Sequence, residues 1–246
     1  MVRTTTLQQH LVILTFRIVL LATALVLYLS GTSSLDYPQL LQGRTGLSAL
    51  GQGFIWLVWV YLAVTILLRI VPNRHISIGS RKHFRCSFVP VPGRAFDKQD
   101  CADAKKALNK GALLSIVSWA VLTAAALFAL HVAGILSPGI VLIIALVFGV
   151  LDRVFVTIYC PFQRLFMRNR CCTTCRIYNW DHFMMCLPLV LYPSFFSLSL
   201  AGLAILAAAS WEAAFWRNPQ RFSTRRNKAL RCSQCTKKIC DFKKLK

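Results

Sequence analysis

FMMCLPLVLYPSFFSLSLAGLAILAAASWEAAFW, residues 183–216, decides how often this chain crosses a membrane. Its one charged residue is Glu212, near the end. A transmembrane helix needs about 20 apolar residues, so the stretch is long for one span and short for two. One tilted helix would put the basic segments before and after it on opposite faces. That runs against the tendency of Lys and Arg to stay on the cytoplasmic side. A hairpin keeps them together. Pro188 and Pro193 interrupt helical hydrogen bonding and place its apex near residues 192–197. The reading is a short hairpin, re-entrant or fully crossing, with limbs of about 17 residues each. Ala204 and Ala208 would form a small-residue contact face on its second limb.

Outward from that block, four apolar stretches precede it: 11–30, 46–71, 111–134 and 140–159. Arg17 interrupts the first, and no small-residue cleavage site follows, so it reads as a retained span rather than a signal peptide. Gly46, Ser48, Ala49, Gly51 and Gly53 would let the second pack closely at its start. Ser137-Pro-Gly139 turns the third back into the fourth. The chain then divides into a helical hairpin (1–72), a basic cytoplasmic loop (73–110) and a second hairpin (111–159). A cysteine-rich connection (160–182), the short hairpin (183–216) and a basic, cysteine-containing tail (217–246) follow. A short interfacial helix is expected over 97–109, inside the basic loop. The fold class is all-α: a polytopic transmembrane helix bundle of about six membrane segments.

Composition supports this. Hydrophobic residues make up 56% and charged residues 15%, against about 25% charged in a soluble domain. Lys and Arg number 29 against 8 Asp and Glu, a net charge of +21. In a soluble protein that excess suggests a nucleic-acid partner. Here it lies between and after apolar blocks, which points to anionic lipid headgroups and weighs against nucleic acid. Both termini are expected in the cytoplasm.

The chain has 10 cysteines. They avoid the connections expected outside, and cytosolic thiols stay reduced, so metal or redox chemistry is expected over structural disulfides. Cys172/Cys175 and Cys232/Cys235 are two C-x-x-C pairs. Each can present two thiolates to one ion, and together they make a tetrathiolate zinc site. The pairs lie far apart in sequence, but a returning hairpin would bring them to one surface. Cys160, Cys171, Cys240 and His182 are additional candidate ligands. Cys86 and Cys101 read as free loop thiols. Arg168, Arg170, Arg176, Arg231, Lys237 and Lys238 flank the thiols and would favour thiolate. An iron–sulfur cluster or a metal-free dithiol suits the same setting.

Arg17, Asp152, Arg153 and Glu212 are charges in apolar blocks, and so are candidates for function. The structural alternative is interhelical pairing of Arg17 with Asp152 or Glu212. Asp152 and Arg153, about 100° apart on a helix, are expected to find different partners. In residues 176–182, Tyr178 and Trp180 read as interfacial anchors and Asp181 as a helix cap; the alternative makes Asp181 and His182 an acid–base or ligand pair. No Walker loop, dinucleotide glycine fingerprint, H-E-x-x-H, G-x-S-x-G or internal repeat is present.

RCCTTCRIYNWD (170–181), with RCSQCTKKIC (231–240), resembles a group of uncharacterised bacterial membrane proteins. The resemblance covers the C-terminal third. It implies a bacterial cytoplasmic membrane and no activity. Three functions follow from the residues: a metal–thiolate scaffold, sensor or accessory subunit with a protein partner; a membrane oxidoreductase or electron-transfer subunit; and a small transporter or channel.

Overall fold

The computed structural model describes residues 6–31, 35–41, 49–70, 80–91, 98–167, 175–231 and 233. Among the described residues, six α-helices form the bundle: α1 (Thr6–Ser30), α2 (Ala49–Ile70), α3 (Lys98–Val132), α4 (Pro138–Thr157), α5 (Asp181–Cys186) and α6 (Phe195–Arg217). All except α5 carry stretches long and apolar enough to cross a membrane, which makes five such helices among the described residues. The chain is an integral membrane protein built as an all-α bundle. Large apolar side chains face outward throughout. On α1, Val12, Val19 and Val26 recur every seventh residue and are exposed, as lipid-facing positions are on a helix of period 3.6.

Hydrogen bonds set the helix directions. Tyr28 Oη lies 3.4 Å from Ser137 Oγ at the start of α4, while Arg17 reaches Gly149 and Asp152 further along it, so α1 and α4 are antiparallel. Trp59 Nε1 donates to Ser199 Oγ at 2.9 Å. Trp56 and Trp59 pack against Phe195 at the start of α6. At the other end, Trp211 of α6 meets His83, which follows α2. Helices α2 and α6 are therefore antiparallel in neither half: both run from the tight-turn face to the basic face, side by side and parallel. The main core includes Leu20, Ile55, Leu62, Leu142, Leu189 and Leu200.

The 183–216 block turns where the prolines place it, but its limbs are unequal. The first is α5 plus a 3-10 turn over Leu187–Leu191, six and five residues. At their respective rises it covers about 19 Å, well short of a hydrocarbon core of about 30 Å. The second limb is all of α6, 23 residues. Ser194 and Ser197 form a capping box that starts it, which satisfies orphan N–H groups at the turn. Tyr192 Oη donates to Leu136 O at 3.2 Å, and Tyr37 Oη to Leu189 O at 2.9 Å. The apex therefore shares one face with the other tight turns. On α6 the buried alanines are Ala201, Ala204 and Ala207; Ala208 stands aside, half-buried. Gly53 has nothing within 4 Å of a built Cβ, so it makes no close helix contact.

A second difference concerns α3. The stretch read as a separate interfacial helix runs on into the third span as one helix of 35 residues. No Pro or capping break separates the two parts. Lys105 Nζ sits 3.7 Å from the Trp216 ring centroid, and Gly111 packs on the turn at residues 163–167. A Cβ there would meet the Phe166 carbonyl oxygen at 2.8 Å. Gly111→Ala is therefore expected to lower stability by about 1–3 kcal/mol, as overpacking does. Gly202→Ala, with open space around its Cβ, should match or exceed the native chain. Thermal unfolding in detergent compares the two.

Candidate functional site

The site is built around residues 175–182, between the fourth span and α5. Nearly every side chain there holds a different element. Arg69, near the end of α2, donates to Asn179 Oδ1 and to Asp181 Oδ2, each at 2.7 Å. The Arg69 guanidinium also sits 4.9 Å from the Tyr178 ring centroid. His182 Nδ1 lies 3.0 Å from Asp181 Oδ1, and its Nε2 lies 3.2 Å from Thr65 Oγ1. A carboxylate only accepts, so Nδ1 carries the proton of a neutral ring. Arg153 of α4 completes the cluster, 3.7 Å from Asp181 Oδ2.

Burial opposes charge on Asp181, but Arg69, His182 and Arg153 override it and hold the carboxyl well below the usual carboxylate range. Its stabilising charge is present above that ordinary range and is lost as pH falls through the depressed value. Burial pushes His182 the other way from its partner's pull, below its ordinary value. Asp181 is therefore an ion-pair anchor and not a helix cap; no side-chain cap bond starts α5. Tyr178 is buried under Arg69, and Trp180 Nε1 donates to Glu212 Oε1 at 2.8 Å. The expected interfacial anchors are internal fasteners.

The sequence-predicted charges are brought together in two sets. Arg17 donates to Asp152 Oδ2 at 2.9 Å and to Tyr61 Oη at 2.9 Å. Arg153 Nε stands 2.9 Å from the same Asp152 oxygen, an ion-pair contact rather than an aligned hydrogen bond. Adjacent Asp152 and Arg153 thus do pair, while each also reaches a partner of its own. Glu212 is separate. It forms a bidentate pair with Arg176, whose carbonyl accepts from Trp211 Nε1 at 2.7 Å. Sequence reasoning misses Arg69, Tyr61 and Thr65 as site residues, and reads Arg176 as a cation beside the thiols rather than as the partner of Glu212. Arg69 at the end of an apolar block is the one visible signal.

The tail folds back on the same end. Asn227 is fully buried. Its Nδ2 donates to Lys82 O and Arg221 O at 3.0 and 2.8 Å. Its Oδ1 accepts from Ala229 N and Val89 N at 3.1 and 3.4 Å. Both donors and both acceptor lone pairs of the amide are used. Lys228 N to Val89 O (2.8 Å) and Val91 N to Arg226 O (3.2 Å) join the two segments as a short antiparallel bridge. No sequence motif announces Asn227.

Of the candidate metal ligands, Cys175 and Cys160 belong to one small apolar cluster with Val156 and Tyr178. Burial pushes the Cys175 thiol up to about 12, the opposite of the thiolate expected from its basic neighbours. His182 is committed to Asp181 and Thr65. Cys171, Cys172, Cys232, Cys235 and Cys240 lie outside the described residues, as do Arg168, Arg170, Lys237 and Lys238. The side chains of Cys86 and Cys101 lie outside the described set as well. Among the described residues, no three His, Cys, Asp or Glu are grouped to hold a metal.

Beside the hub lies a cavity of about 480 Å³ between α3 and α4. Its walls are apolar, from Leu130 and Ile144 down to Phe155 and Phe162. Asp152, Asp181, Cys160 and Cys175 border its basic-face end.

No known protein family, curated protein or solved structure matches this chain. Its chemistry therefore rests on geometry alone. Asp181→Asn leaves two buried guanidiniums facing a neutral amide and is expected to cost about 3–5 kcal/mol. Asp103→Asn, at an exposed site, should change stability by less than about 0.5 kcal/mol. Denaturant unfolding in detergent measures both.

Proposed function

We propose that this chain is a non-transporting scaffold or accessory subunit of a cytoplasmic membrane, bacterial by its sequence resemblance, with its basic face toward the cytoplasm. One observation carries the reading. Asp152, Asp181 and Glu212, the carboxylates set among the spans, are each held by arginine. A carrier carboxylate must release and rebind its ion or proton, and these are committed to fixed pairs. The basic face meets anionic headgroups and is closed by the folded tail, which leaves a shaped surface for a protein partner.

A zinc clamp between the thiol segments is the second reading. It is favoured by the Trp211–Arg176 bond, which seats the end of α6 next to Cys175. Zinc binding by Cys172, Cys175, Cys232 and Cys235 would require the Cys175 thiol to leave its apolar cluster. An iron–sulfur cluster on the same four would have the same requirement.

Thiol accessibility tests the orientation, since no cysteine occurs in residues 31–48 or 133–137. A membrane-impermeant maleimide added to intact cells should leave the chain unlabelled, and should label it once cells are opened. Labelling of intact cells would refute the cytoplasmic basic face. Metal analysis of the same purified chain reads the clamp: about one zinc per chain, lost in Cys232→Ser with Cys235→Ser, supports it.

A further inference from the structure

We infer that Cys160 and Cys175 hold one monovalent copper ion, Cu(I), between their two sulfurs. The thiols come from different segments, Cys160 just past the end of α4 and Cys175 at the start of residues 175–182. They meet in one apolar cluster with Val156 and Tyr178. Both border the basic-face end of the cavity between α3 and α4. Cys175 is buried and Cys160 half-buried. Each sulfur faces backbone N–H groups. Gln163 N donates to Cys160 Sγ at 3.4 Å. The N–H groups of Ile177 and Arg176 point at the Cys175 sulfur. Donors placed in this way support and orient a metal ligand.

The donor set chooses the ion. Thiolates select soft ions, whereas calcium and magnesium need oxygen. Asp152 and Asp181 border the same end of the cavity, but arginines hold both. Met167 packs on the thiol cluster with its sulfur turned to Gly111. Two sulfurs remain. Structural zinc takes four ligands, and among the described residues no three His, Cys, Asp or Glu are grouped. Cu(I) is satisfied by two thiolates in line. Charge separates it from mercury(II), the other soft ion that binds in this way. Two thiolates leave a mercury(II) complex neutral and a Cu(I) complex with one negative charge. The neighbouring hub sets Arg17, Arg69 and Arg153 against Asp152 and Asp181, so one positive charge is in excess. Arg153 is within electrostatic reach of Tyr178, which packs with Cys175. The negative copper complex offsets that excess.

Cytosolic copper travels on thiols, and Cys160, the more exposed of the pair, meets the donor first. Each S–H bond breaks as its Cu–S bond forms. The two protons pass to the two thiolates that the donor releases, and copper stays monovalent. Cys175 keeps its place in the apolar cluster, which a zinc clamp would make it leave. The site does not depend on the scaffold reading.

Other thiols in the chain also bind Cu(I), so the test isolates this pair. In the full-length parent variant every cysteine except Cys160, Cys175 and the core residue Cys186 is changed to serine. Cu(I) is added without oxygen, in detergent, against the chelator bicinchoninate. The parent should keep one Cu(I) per chain, with two sulfur neighbours by X-ray absorption, and zinc should not displace it. Cys160→Ser in the parent should weaken binding by about a hundredfold or more. Cys160→Met, which returns a soft sulfur, should recover part of that loss. In the chain with all its cysteines, Cys160→Ser should lower the copper count by one. Failure of the parent to keep copper would overturn the proposal. So would displacement by zinc, or a copper count and affinity that Cys160→Ser leaves unchanged.

Discussion

A guanidinium in hydrocarbon keeps its charge, and so it needs an acceptor within hydrogen-bond reach. Three arginines on three different spans, Arg17, Arg69 and Arg153, meet this need with only Asp152 and Asp181 between them. Sharing two carboxylates forces α1, α2, α4 and α5 to converge at one depth. Tyr61, Asn179 and the Gly149 carbonyl supply further acceptors. The short limb follows from this. Helix α5 starts at Asp181, so its origin is held inside the bundle. The chain then needs only a few turns to reach the apex at residues 192–194.

The hub also ties the membrane part to its basic-face cap. Arg176 reaches Glu212 and Asp181 reaches Arg69, with only four residues between the two anchors. Trp211, Phe215 and Phe222 pack beside them, and His83 meets Trp211 edge-on and lies tilted against Phe222. Asn227 then fixes the tail to residues 82–91. Ile177 and Tyr178 turn toward the cavity, so one short segment borders the charge network, the cap and the apolar slot. Movement of that segment would be felt in all three.

Much of this is legible in the sequence. Long apolar blocks dictate spans because backbone groups in lipid must bond within their own helix. Pro188 and Pro193 mark the turn, and Asp152 is among the partners that the sequence offers Arg17. Limb lengths are not legible, because hydropathy does not record where Asp181 is tied. Helical geometry predicts that Asp152 and Arg153 diverge, but a long guanidinium can fold back on its neighbour. The charged sequence neighbours of Cys175 predict a thiolate, yet its thiol points into an apolar cluster with Cys160. Asn227 gives no signal, since a buried polar group is recognised by what surrounds it in space.

The central claim is that the intramembrane charges are structural pairs. A double-mutant cycle on Arg17→Met and Asp152→Asn, read by denaturant unfolding in detergent, tests it most directly. The account predicts that each single change is strongly destabilising and that the double change costs less than their sum by more than about 1 kcal/mol. Losses that add to within about 0.5 kcal/mol would mean the two residues do not stabilise the bundle as a pair.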